Sequence, residues 1–67
     1  MMHRRLIEKI EVDYNGGKII TKKFEGDSHA TYNSFEAQNK NGVTLWLSDI
    51  MYACDYIGAC KHAIDNQ

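Results

Sequence analysis

Asp27-Ser28-His29 places the carboxylate, hydroxyl and imidazole of a hydrolytic triad on three consecutive residues. Neighbours in one loop cannot by themselves align an Oγ, an imidazole and a carboxylate as a relay, so the tripeptide reads as a polar turn. Cys54, Cys60 and His62, with His29 and His3 elsewhere, are ligand types that zinc accepts. Their Cys-x5-Cys-x-His spacing lacks the close cysteine pair of a zinc site, and on a helix it spreads the members around the axis. The thiols read as buried side chains rather than ligands. Six residues of helix also separate the cysteines by about 9 Å of rise, which is too far for a disulfide. Asn15-Gly16-Gly17 is too short to cradle a phosphate and leads into a strand rather than a helix. These residues predict no catalytic group, no metal and no cofactor, and therefore a non-enzymatic protein.

Charge offers one rival reading. Arg4, Arg5, Lys9, Lys22 and Lys23 crowd the first part of the chain, where a two-stranded ribbon could enter a nucleic-acid groove. Glu8, Glu11, Asp13 and Glu25 interrupt that basic stripe, and the formal net charge is −1. Phosphate binding needs an unbroken stripe, so a nucleic-acid-associated module using this hairpin is the alternative rather than the leading expectation.

The elements that carry these residues follow from periodicity. Residues 5–14 and 18–25 alternate on either side of Asn15-Gly16-Gly17, and residues 31–39 and 43–47 on either side of Lys40-Asn41-Gly42. Both read as hairpins. A two-residue Asn15-Gly16 turn would pair Val12 with Ile19 and scatter apolar residues over both faces. A three-residue loop with Gly17 left-handed pairs Val12 with Ile20 and gathers Leu6, Ile10, Val12, Tyr14, Ile20 and Phe24 on one side, which favours that register. The same recipe in the second hairpin sets Phe35 opposite Leu47, Ala37 opposite Leu45 and Asn39 opposite Val43. Ser48 then reads as the N-cap of a helix running to Ile64, with Asp49 in its first turn and Lys61 and His62 in its last.

The expected fold is thus α+β: a four-stranded antiparallel meander of two hairpins followed by one C-terminal helix packed on one face, ββββα. All 67 residues, at 43% hydrophobic and 25% charged, form a single small domain, since a second would lack a core. So small a core often needs help from disulfides, metal or oligomerisation. No segment reaches the ~18 apolar residues of a membrane span, the N-terminus lacks an apolar signal core, and a reducing, cytoplasmic setting is expected.

One helix covers only about half of a four-stranded face. Ile50, Ala53, Cys54, Ile57 and Ile64 form the stripe expected to meet the sheet, and Tyr52, Tyr56, Ala59 and Ala63 form a second stripe about 120° away. That second stripe predicts a homodimer or protein-partner interface, against the plainer reading that it packs on the chain's own loops or sheet edge. Trp46 is expected on the outward face with Tyr32; a lone tryptophan on a small sheet more often shields its hairpin, and with Tyr32 beside it Trp46 is also the best single candidate for a binding hot spot. The sequence therefore predicts a small adaptor-like or inhibitor-like protein that self-associates through the helix and the uncovered sheet. The expected partner interface is Trp46, Tyr32, Tyr52, Tyr56, Ala59 and Ala63.

Overall fold

The computed structural model describes residues 4–50 and 55–67 in full and residues 51–52 as backbone. β1 (Arg4–Tyr14), β2 (Gly17–Gly26), β3 (Thr31–Gln38) and β4 (Thr44–Leu47) form one antiparallel sheet in that order, and α1 (Ile57–Asp65) packs on one face of β2, β3 and β4. The chain is ββββα, as its periodicity predicts. A short β5 (Met51–Tyr52) adds to the same edge of β3 that β4 occupies, pairing with Tyr32 and Asn33.

The first hairpin corrects the expected register. Val12 faces Ile19, Ile10 faces Thr21 and Tyr14 faces Gly17, which leaves Asn15 and Gly16 as a two-residue turn. Their φ angles, 47° and 82°, are those of a type I′ turn, whose twist matches the flanking strands and whose two positive φ values suit asparagine and glycine. Gly17 has a different role. A Cβ there would lie 2.5 Å from the Gln38 carbonyl oxygen and 3.2 Å from Ile64 Cγ2, so the position is glycine because β3 and α1 close over it. Collecting every apolar side chain on one face fails as a guide to register because α1 is too short to cover them all.

The second hairpin turns as expected. Asn39 N–H donates to the Val43 carbonyl at 3.0 Å, the Asn39 carbonyl accepts from Gly42 N–H at 3.0 Å, and Gly42 has φ 81°. Beyond the turn the pairing slips by one residue. Gln38 faces Thr44 but Ala37 faces Trp46 and Glu36 faces Leu47, so Leu45 is an extra residue in a bulge. A one-residue slip exchanges faces for everything after it. Trp46 turns inward to the core, correcting its expected outward position, and Leu47 turns outward, 63% exposed.

The helix is also shorter than expected. Ser48 is not a helix cap: its N–H donates to the Phe35 carbonyl and its Oγ accepts from Phe35 N–H, both at 2.9 Å. Ser48 thus continues the edge ladder of β3, and β5 completes it, so hydrogen bonding to the β3 backbone outcompetes local helical periodicity. α1 starts only at Ile57, where Asp55 Oδ1 accepts the Ile57 N–H at 3.0 Å. Tyr52 therefore lies in a strand, and Ala53 and Cys54 of the expected sheet-facing stripe lie outside the described residues. Cys60 and Ile64, one turn apart, are the helix residues buried against Ile19, Phe35 and Ala37.

Candidate functional site

Alternation in β1 sends Ile10, Val12 and Tyr14 to the helix face and Lys9, Glu11 and Asp13 to the other. The helix does not reach most of this strand. Asp65 at the end of α1 accepts a hydrogen bond from Tyr14 Oη at 3.0 Å and another from Asn15 Nδ2 at 2.8 Å, while Lys61 Nζ sits 5.5 Å from the Tyr14 ring centre. Those contacts hold α1 at the turn end of the hairpin. A nine-residue helix spans roughly 14 Å, whereas the molecule is 38 Å long, so the rest of β1 stands clear.

Four apolar side chains are left there about half exposed: Leu6 51%, Ile7 45%, Ile10 47% and Val12 52%. β1 is the first strand of the sheet, and among the described residues nothing pairs with its outer edge. The opposite edge is protected, because β4 is four residues long, carries the Leu45 bulge and breaks at residues 48–50. Long, unpaired and apolar edges are templates for another strand, and natural proteins shorten, bulge or charge the edges they do not use. Here one edge is short and bulged, whereas β1 is long and unpaired on its outer side, with an irregularity between Leu6 and Glu8 and with charges of both signs among its apolar residues.

The face away from α1 is a charged ladder over one buried side chain. Glu11 lies 3.4 Å from Lys9 Nζ and 3.3 Å from Lys18 Nζ, and Lys18, then Lys9, hold its carboxyl below the usual range. Glu36 accepts from Thr44 Oγ1 at 2.6 Å and from Gln38 Nε2 at 3.0 Å, which lowers its pKa in the same order. Ile20 lies between Glu11 and Glu36 across the ladder and is buried although α1 packs on the other face, as the aliphatic stems of flanking charged residues allow. Nearer the N-terminal end of β1, the Arg4 guanidinium lies 5.0 Å from the Tyr32 ring centre, and Phe24, Leu47 and Ile50 floor an open trough of about 480 Å³.

The residues expected to form one interface are divided by the fold. Tyr56 packs edge-on to Phe35 with centroids 6.0 Å apart and to Trp46 at 5.5 Å, and Ala63 also lies against the core. Trp46, Tyr56 and Ala63 therefore pack against the chain's own core, which for Tyr56 and Ala63 is the plainer of the two readings weighed for the helix stripe. Ala59 is half-buried, Tyr32 occupies the opposite face, and the Tyr52 side chain is outside the described part. The open edge of β1 lay hidden in the sequence, since which strand ends a sheet is a property of topology. Its one available signal was a first strand with apolar residues on both sides of its alternation.

The remaining chemical candidates are separated too. Asp27, Ser28 and His29 are exposed in the β2–β3 turn, which is closed by Gly26 N–H to the Ala30 carbonyl at 2.9 Å and holds His29 at φ 64°. Burial, then the nearby Glu36 charge, pushes the Cys60 thiol up, whereas His62 is exposed with Nδ1 3.2 Å from Asn66 Nδ2. Among the described residues no three His, Cys, Asp or Glu side chains gather as metal ligands. No helix among those residues is long and apolar enough to cross a membrane. No family model, curated protein or solved structure matches the chain.

Proposed function

We propose that this chain is a small non-enzymatic protein-binding module, adaptor-like or inhibitor-like, that self-associates and uses β1 as its contact surface. The observation that carries the reading is the eleven-residue edge strand with Leu6, Ile7, Ile10 and Val12 left about half exposed and, among the described residues, no strand on its outer edge. Strand addition would satisfy its outward backbone groups while the apolar side chains supply buried area. The nucleic-acid reading draws less support, because Arg5 is bound to Glu25 at 2.6 Å and Lys9 and Lys18 share Glu11. Such pairs cancel the charge that phosphates would have to find.

Sedimentation and amide exchange test the reading together. The parent should gain mass between low micromolar and high micromolar concentration, with exchange slowing at the outward amides of β1, and Val12→Glu should abolish both changes. A chain that stays monomeric, with β1 amides exchanging at the same rate throughout, would refute self-association through this strand.

A further inference from the structure

The hairpin register determines which backbone groups β1 offers. A two-residue turn makes its flanking residues a hydrogen-bonded pair, and such pairs then alternate along the ladder. Tyr14 with Gly17, Val12 with Ile19 and Ile10 with Thr21 accordingly bond inward, and Lys9, Glu11 and Asp13 turn their N–H and C=O groups to the open edge. The irregularity between Leu6 and Glu8 limits the regular part of that edge to residues 8–14.

Charge along β1 is ordered. Arg4 and Arg5 begin the strand, Glu11 and Asp13 lie towards its end, and Glu8 and Lys9 occupy the middle, so three cations balance three anions. A strand that is positive at one end and negative at the other complements an antiparallel copy of itself. We infer that β1 pairs antiparallel with β1 of a second copy about a two-fold axis at Ile10, joining the two sheets into one. This rests on the reading of β1 as the contact surface and adds the occupant and the register.

The register follows from like-charge exclusion. Two-fold symmetry requires one residue to face itself. An axis at Lys9 sets two ammonium groups opposite each other, and an axis at Glu11 sets two carboxylates opposite. An axis at Ile10 sets Lys9 against Glu11 of the other copy, twice, on the face away from α1, and sets the two Ile10 side chains together on the helix face. Each Val12 then lies opposite the other copy's Glu8 and diagonal to its Ile10, so the two Ile10 and two Val12 side chains, all half-exposed, form one apolar strip with a Glu8 carboxylate at each side. Because Ile10 bonds inward to β2, the two Ile10 residues form a non-hydrogen-bonded pair, with Cα atoms about 4.5 Å apart.

That spacing permits a disulfide. In a Cys54→Ser background, Ile10→Cys should oxidise to a covalent dimer, and Lys9→Cys or Glu11→Cys should do so far more slowly. Charge exchange gives an independent measurement: Lys9→Glu alone, or Glu11→Lys alone, places like charges opposite at two sites and should weaken the dimer roughly tenfold. Mixing those two variants restores both opposite-charge pairs and should restore dimerisation, which contacts within one chain cannot do. A parent that dimerises without Ile10→Cys cross-linking, or single exchanges that dimerise as the parent does, would overturn this pairing and leave the proposed function standing. A monomeric parent would overturn both.

Discussion

Replacing Gly16 and Gly17 one at a time with L-alanine and with D-alanine tests the register on which the open edge of β1 depends. At Gly16 the constraint is conformational: φ is 82° and nothing lies within 4 Å of an added Cβ. An L side chain in the left-handed region costs about 1–2 kcal/mol, and the stiffer unfolded chain returns about 0.4–1 kcal/mol. At Gly17 the constraint is space, with the Gln38 carbonyl oxygen 2.5 Å from the added Cβ and Ile64 Cδ1 at 3.3 Å. That oxygen belongs to the backbone of β3, so relief requires the strand itself to move, costing about 1–3 kcal/mol for overpacking and about 1 kcal/mol for a weakened ladder bond. With the same unfolded-chain return at residue 17, Gly17→Ala should therefore lose about three times as much stability as Gly16→Ala, in a domain whose whole stability is roughly 3–10 kcal/mol. Each kcal/mol corresponds to about 4–8 °C in melting temperature at this size. Trp46, the single tryptophan, packs on Tyr56 and reports unfolding of the core by fluorescence in urea. D-alanine reverses the order of tolerance: it suits the positive φ of residue 16 and is strained at residue 17, which lies outside the left-handed region. Equal midpoints for the two L-alanine variants, or a D-alanine tolerated at 17 and not at 16, would restore the three-residue loop and refute the pairing of Val12 with Ile19.

Two further outcomes follow from single contacts. Ser48→Ala strips the buried Phe35 N–H of its acceptor and should cost about 1–3 kcal/mol with faster exchange at the Phe35 amide, whereas Ser28→Ala in the exposed β2–β3 turn should be near neutral by the same urea titration. The hydrogen bond to Asp65 raises the Tyr14 phenol above its ordinary 10.0, so this contact supports the fold below that pH and is lost as pH rises through the folded-state value. Lys61 lies over that ring and Asn15 donates to the same carboxylate, and Asp65→Asn should shift one tyrosine to lower pH in an ultraviolet titration; an unchanged titration curve would show that the contact does not help to anchor α1.

Local chemistry made part of this protein legible without its structure. Residues 5–14, 18–25, 31–39 and 43–47 alternate strongly enough to read as strands, and each coincides with a strand of the sheet to within a residue at either end; Gly42 occupies the left-handed position that the Lys40-Asn41-Gly42 loop demands, and Ile57 and Ile64 face the sheet. Each is decided within a few residues, by side-chain period or by the φ that one residue can adopt. The candidate surface was not legible in the same way. Trp46 and Tyr32 share a parity in the regular register, and the Leu45 bulge then parts them by turning Trp46 onto Tyr56.

The sequence by itself determined the order of elements, the placing of the turns and the amphipathic end of the chain. Only the tertiary structure decided the register of β1, the bulge that exchanged Trp46 for Leu47, and the conversion of residues 48–52 from helix start to sheet edge. The physical reason is common to all three. Strand side chains alternate with a period of two, so a slip of one residue reverses every face, and competing registers differ by little local energy. What breaks that near-degeneracy is distant in sequence: α1 closing over Gly17 and Ala37, and the backbone of β3, which pairs with β5 at Tyr32 and Asn33 and with Ser48 at Phe35. The same packing, by placing a short helix at one end of a long hairpin, left β1 open.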